Sequence, residues 1–430
     1  MFDLVPGAAS SAPSGLTALS ASLLLFAAFT PATGRELFKF DASTGLVTLV
    51  ADLEAGVDDS TPTSFKACNG RVFFRANDKL LGTDGSSVDD LGLTSSTAEP
   101  GRGICVGTQL LFPDGSTLRK SDGAAAGTSA VATFTAKEFA VLGARVFMHD
   151  GDQLVSIGTD LVGPPLLLKE IRAGVSDQIQ TLSTFGAPPR LFFAANDGIS
   201  GREPYVSDGT EVGTVQLADL IGGTASSMTT VPPVVVGSTV YFIAAGQLFK
   251  SVNGGTPASL FMSPQPPAVL AVAGTKVILR ESSTTDTVRA FDDATGMVTL
   301  CDAPTVNTPT LSAAAGRVYF VARSPTTGLE EIWVTDGTAG CTQLKDLLAV
   351  SSSTSSSSPT RFAAIGNTVF FHALSNATGR ELYRTTSPFE SVELVKDIRV
   401  GSDDGIKIVQ PLVVMGSRVF FAADDGTNGV

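Results

Sequence analysis

Ten short apolar pairs recur along the chain at intervals averaging about 44 residues. They are Leu25-Phe26, Phe73-Phe74, Leu111-Phe112, Phe147-Met148, Phe192-Phe193, Tyr241-Phe242, Ile278-Leu279, Tyr319-Phe320, Phe370-Phe371 and Phe420-Phe421. A period of roughly 40–50 residues is that of a four-stranded propeller blade. Successive residues of a strand point to opposite faces, so a pair apolar in both members marks a strand buried on both sides.

Each repeat divides into four strand-like pieces. In the ninth these are Arg361–Ile365, Thr368–Ala373 with the aromatic pair, Glu381–Thr385 and Val392–Ile398. Gly366-Asn367 joins the first two as a tight hairpin. Asp-Gly stands between the third and fourth pieces of other repeats, as Asp208-Gly209, Asp336-Gly337, Asp122-Gly123 and Asp84-Gly85. Asp-Gly between β runs is a strong hairpin signal. No window shows a helical period. The fold class expected is therefore all-β: a β-propeller of four-stranded antiparallel blades, about nine repeats, with eight to ten allowed.

The expected blades, after an N-terminal extension at 1–15, span 16–57, 58–99, 100–137, 138–177, 178–225, 226–266, 267–306, 307–350 and 359–402, with a partial tenth at 409–430 beginning near Val409. The serine tract Ser351–Ser358 falls between blades eight and nine as a loop. Nine is a large ring, so either the ring is unusually large or the chain is part of a longer array. A terminal blade with two strands must borrow the others or leave edges open.

With 42 acidic against 29 basic residues the net charge is −13, which disfavours nucleic acid as a partner. No apolar run approaches the ~20 residues of a membrane helix. The run Leu23–Ala28 lacks the basic flank of a signal peptide and sits at repeat spacing, so it reads as a strand. Cys68, Cys105, Cys301 and Cys341 form no CxxC and no zinc constellation. They read as small apolar strand residues, with bridges left open by their even number. Cys68 and Cys105 occupy equivalent positions on neighbouring blades, expected to lie beyond the ~7 Å Cα limit for a disulfide.

Four sets of residues invite a chemical reading. The loop Asn196-Asp197-Gly198-Ile199-Ser200-Gly201-Arg202-Glu203, with its copy at Asp424-Asp425, could supply oxygens to Ca²⁺. Against this, Asp-Gly closes a turn and Arg202 and Glu203 can pair across strands. Asp52, Glu170, Asp219, Asp346 and Asp397 recur on the fourth strand, as a rim of acids or as edge charges that block strand addition. His149 and His372 are repeat-equivalent and read as satisfied or partly exposed strand histidines. Lastly, Gly-Arg-Glu-apolar/Pro-aromatic occurs as Gly34–Phe38, Gly201–Tyr205 and Gly379–Tyr383, each Glu ten residues after the second member of an apolar pair. Five of nine blades lack its Glu. That makes its polar residues look optional for the fold, and the blades that keep them a place for bound ligand.

Gly201-Arg202-Glu203-Pro204-Tyr205-Val206-Ser207-Asp208-Gly209-Thr210 and Glu331-Ile332-Trp333-Val334-Thr335-Asp336-Gly337-Thr338 resemble the bacterial ELWxxDGT repeat proteins, as does Glu381-Leu382-Tyr383. The resemblance covers nearly the whole chain. It implies an extracellular or surface-associated propeller and transfers no catalytic residue. Two function classes follow. One is a non-enzymatic scaffold binding a protein, glycan or matrix ligand through its loops, with or without calcium. The other is a lyase or hydrolase with its site at the channel mouth, which requires ionisable residues to converge there.

Overall fold

The computed structural model describes the chain apart from residues 1, 8, 263–266, 282–286, 303–310, 325–326, 339, 346, 348–355, 390 and 408–410. Asp346, Val409 and Ser351–Ser355 of the serine tract therefore lie outside the described residues. Among the described residues nine four-stranded antiparallel sheets pair their strands in sequence order. A two-stranded sheet, Val413–Met415 with Arg418–Phe420, comes last. Among the described residues the fold is an all-β propeller of nine four-stranded blades and a two-stranded tenth.

The apolar pairs set how the blades stack. At most seams the first member of one pair shares a core cluster with the second member of the next: Phe147 with Phe193, Phe192 with Phe242, Tyr319 with Phe371. The rule also closes the ring, because Phe420 of the half blade joins Phe26 of blade one. In blades one to eight no pair member is more than 7% exposed. Each such side chain contributes about 1.5–3 kcal/mol by leaving water. Phe370, Phe420 and Phe421, which flank the half blade, are only partly buried.

First strands of neighbouring blades touch, as Ser14–Ala18 does Thr63–Cys68 and Glu138–Leu142 does Gln180–Phe185, so they line the inside. This convergence corrects the reading of the cysteines. Cys68 and Cys105 lie 5.4 Å apart at Cα and are bonded, joining the inner strands of blades two and three. Cys301 and Cys341 are bonded as well, joining blades seven and eight near their outer edges, with Cα atoms 5.7 Å apart. Two disulfides suit an oxidising compartment. Among the described residues no helix is long and apolar enough to cross a membrane. Replacing Cys68 and Cys105 by Ala, which opens a link across 37 residues, is expected to lower stability by about 2–4 kcal/mol. A reduced-against-oxidised thermal melt checks this.

Candidate functional site

The Gly-Arg-Glu phrase sits where one blade passes to the next. Its glycine has φ of +66°, +73° and +64° at Gly34, Gly201 and Gly379. A Cβ there would lie 2.2–2.4 Å from a backbone oxygen of Asp58, Ala225 or Asp403. Only glycine lets the inter-blade connection approach so closely. The next residue's amide is capped by the connection: Arg35 donates to Asp59, Arg202 to Ser226 Oγ and Arg380 to Asp404. The arginine side chains also serve the fold. Arg35 donates to the Ala12 carbonyl, Arg202 to that of Met228 and Arg380 to that of Ser358.

The glutamates are wholly buried, and they overturn the ligand reading of this phrase. Glu36, Glu203, Glu331 and Glu381 have zero exposure. Glu36 accepts from the amides of Leu53 at 2.8 Å and Ser60 at 3.0 Å, and from the Ser60 hydroxyl at 2.7 Å. Glu203 repeats this on Leu220 at 3.0 Å, Ser227 at 3.0 Å and the Ser227 hydroxyl. Glu331 accepts from Leu347, and Glu381 from Arg399. Each carboxylate thus bolts the connection to the blade it leaves, through charge-assisted hydrogen bonds. Burial raises the Glu36 carboxyl, although Ser60 and Leu53 offset it. In blade nine Gly405 replaces the serine, and burial pushes Glu381 up to about 7.

Every one of these glutamates pairs with an alanine across the ladder: Ala28 with Glu36, Ala195 with Glu203, Ala322 with Glu331, Ala373 with Glu381. That alanine lies two residues after the apolar pair. In blades three and seven the position holds Asp114 and Glu281 instead, both buried. Asp114 accepts from the hydroxyls of Ser95 and Thr97 and from Arg119. Glu281 accepts from Thr287 and Arg289. The carboxylate has crossed from the third strand to the second. Sequence reasoning missed both residues, yet the aligned repeat shows an acid standing where other blades have alanine.

The calcium candidates are engaged within their own turns. Asp197 accepts from the amides of Ile199 and Ser200 and from the Ser200 hydroxyl, while Asn196 caps Gly198. Burial pushes the Asp197 carboxyl up, but the Ser200 and Ile199 amides outweigh it and hold the group below its ordinary value. Glu203 is not brought to this loop, since its oxygens face Leu220 and Ser227. Asp425 accepts from Thr427 and Asn428, and Asp424 from Gly426 and Arg399. Among the described residues no group of three or more His, Cys, Asp or Glu is placed to hold a metal ion.

Asp52, Glu170, Asp219 and Asp397 lie just past the fourth strands, in the connections, and not on the strands themselves. The first three cap turns, accepting from the amides of Gly56, Gly174 and Gly222. The histidines are neither exposed nor fully satisfied. His149 Nε2 lies 3.4 Å from Glu138, and neither ring nitrogen of His372 finds a hydrogen-bond partner among the described residues.

No family model matches the chain, and comparison with curated proteins gives no match. Solved structures similar to it include a eukaryotic initiation factor at 11% identity, covering 78% of this chain and 88% of that one with a TM-score of 0.45. BamB from Moraxella catarrhalis is similar at 15% identity, 59% and 76% coverage and a TM-score of 0.37. A puromycin hydrolase mutant is similar at 13% identity, 75% and 58% coverage and a TM-score of 0.36. At these identities and TM-scores the likenesses carry no argument about what the chain does.

Proposed function

We propose that this chain is a non-enzymatic, extracellular or surface-associated scaffold that binds a protein or glycan through the loops of one rim. The carrying observation is a set of apolar side chains held in water on consecutive loops. Val175 before blade five, Ile199 within it and Ile221 after it are 57%, 77% and 48% exposed. Val57 and Val400, on the corresponding connections of other blades, are 69% and 88% exposed. These loops share a rim, since Asn77 of one second-to-third strand loop donates to Glu54 of the neighbouring connection. Loops held by a rigid scaffold disproportionately carry binding residues, and neighbouring exposed apolar side chains mark interaction sites where they form one patch. The inner strands support the same reading. They consist mostly of Ala, Val, Ser, Thr and Leu, and among their described residues the ionisable side chains are Lys66, Glu138 and Arg361, on blades two, four and nine.

The test is a triple variant, Val175→Ser, Ile199→Ser and Ile221→Ser, compared with the parent against arrayed glycans and matrix-type proteins. The expected result is a ligand retained by the parent and weakened at least ~10-fold in the variant, with the melting temperature unchanged. A ligand held equally by both, or turnover of a glycan or peptide substrate, removes this reading.

A further inference from the structure

Two connections of the rim repeat one unit of an acid and an aliphatic tip. Asp52 accepts from the Gly56 amide and Glu170 from the Gly174 amide, and the residue after each glycine, Val57 or Val175, is 69% or 57% exposed. Between blades five and six Asp219 caps Gly222, directly after the exposed Ile221. Asp52, Glu170 and Asp219 are themselves exposed, so carboxylate and aliphatic side chain reach solvent together, fixed by one turn. Asp58 and Asp59 extend the unit at Val57, and Asp197 holds the turn that carries Ile199. Within residues 52–59, 170–176, 196–200 and 219–226 the one cation is Arg172, half-buried against Gly198.

This chemistry sorts the partners that the rim can take. A saccharide docks by laying the C–H face of its ring on an aromatic side chain, and these loops present none. Among the described residues the four tyrosines are buried, and Trp333 is half-buried in the seam of blades seven and eight. The exposed phenylalanine is Phe2, which packs on Phe40 of blade one. Anionic polymers and anionic lipid surfaces are repelled by carboxylates held at fixed positions. A protein surface that sets basic side chains among apolar ones answers both halves of the unit. Apolar contact supplies affinity, while charge complementarity supplies steering and selection. The acids lose little freedom on binding, because their turns already hold them.

We propose that the partner of this rim is a protein presenting lysine or arginine side chains interleaved with aliphatic ones, which docks across blades four to six. This rests on the rim being the binding face. The probe is a labelled synthetic peptide of alternating lysine and valine, titrated by fluorescence anisotropy. The proteins are the parent, the triple variant Val175→Ser, Ile199→Ser, Ile221→Ser, and the double variant Glu170→Gln, Asp219→Asn, whose amide oxygens can still accept at the turns. Each variant is expected to melt with the parent and to bind the peptide about 10-fold more weakly. The parent's affinity is expected to fall by a similar factor from about 0.05 to about 0.5 M salt. A lysine–serine and a glutamate–valine peptide are expected to bind the parent at least ~10-fold more weakly than the lysine–valine peptide. A lysine–serine peptide that binds as well as the lysine–valine one, or equal binding by the double variant, overturns the proposal. So does a ligand that the triple variant loses but that is indifferent to salt and to the neutralised acids, and that result leaves the rim standing as the binding face. A peptide lost by the double variant and held by the triple variant removes both. The salt series and the control peptides use the parent alone, so the outcome does not depend on either variant folding.

Discussion

Glu203→Ala is expected to destabilise the propeller by about 3–5 kcal/mol, although Glu203 has no exposed surface. The substitution leaves the amides of Leu220 and Ser227 and the Ser227 hydroxyl buried without an acceptor. Orphaned buried donors cost about 1–3 kcal/mol each, and less where the connection relaxes to admit water. Unfolding entropy near ~2.1 cal/mol/K per residue turns that loss into a melting shift of about 3–6 °C for a chain of 430 residues. Glu203→Gln keeps the volume and one acceptor oxygen, so roughly half the loss is expected. Ser227→Ala alone should cost about 1 kcal/mol, and the pair should be strongly non-additive because the two residues share the interaction. Calorimetry on the four proteins of this cycle decides the matter. Additive effects, or a Glu203→Ala protein that melts with the parent, would mean that the glutamate does not hold the connection. Glu36, with the same three partners in blade one, should respond in parallel.

What could be read in the sequence follows from which interactions repeat. The apolar pairs were legible because every seam needs one member from each side, so the requirement returns once per blade. Ring closure was not legible: residues 9–12 form a connection through backbone amides and two serines, and Ala-Ser-Ser-Ala carries no apolar period. The glutamate was misread because its absence from five blades suggested dispensability. Blades three and seven show another answer, a carboxylate moved across the ladder to Asp114 and Glu281. A signal was nevertheless present, since Glu36–Ser60 and Glu203–Ser227 share a separation of 24 residues. The Cys68–Cys105 bond was missed through geometry. Repeat equivalence placed both on inner strands, but how closely those strands converge depends on packing, which the pattern does not encode.

Blade nine also sets two buried groups against each other in pH. His372 is wholly buried beside Phe421, with the charges of Arg380 and Arg361 near it, and burial first and these cations second lower its pKa from 6.5 to about 4. Glu381, one residue from the histidine's ladder partner Leu382, is raised by burial from 4.5 to about 7. The folded state resists protonating the histidine, so its contribution to stability is present above pH ~6.5 and lost as pH falls toward ~4. The folded state holds the glutamate's proton, so that contribution is present below pH ~4.5 and lost as pH rises through ~7. Each shift is on the order of 3 kcal/mol, and over their shared window the two slopes oppose. Removing one partner therefore exposes the other. Glu381→Gln should lose stability relative to the parent between pH 6.5 and 4.5, and His372→Leu should lose it between pH 4.5 and 7. Melting curves at pH 4.5, 5.5 and 7.5, taken as differences from the parent, cancel shared contributors such as Glu36 and Asp177, both raised by burial. Two variants whose profiles run parallel to the parent would show that neither group changes protonation on folding. Profiles that tilt the same way would show that the histidine is held by a partner and is not merely buried.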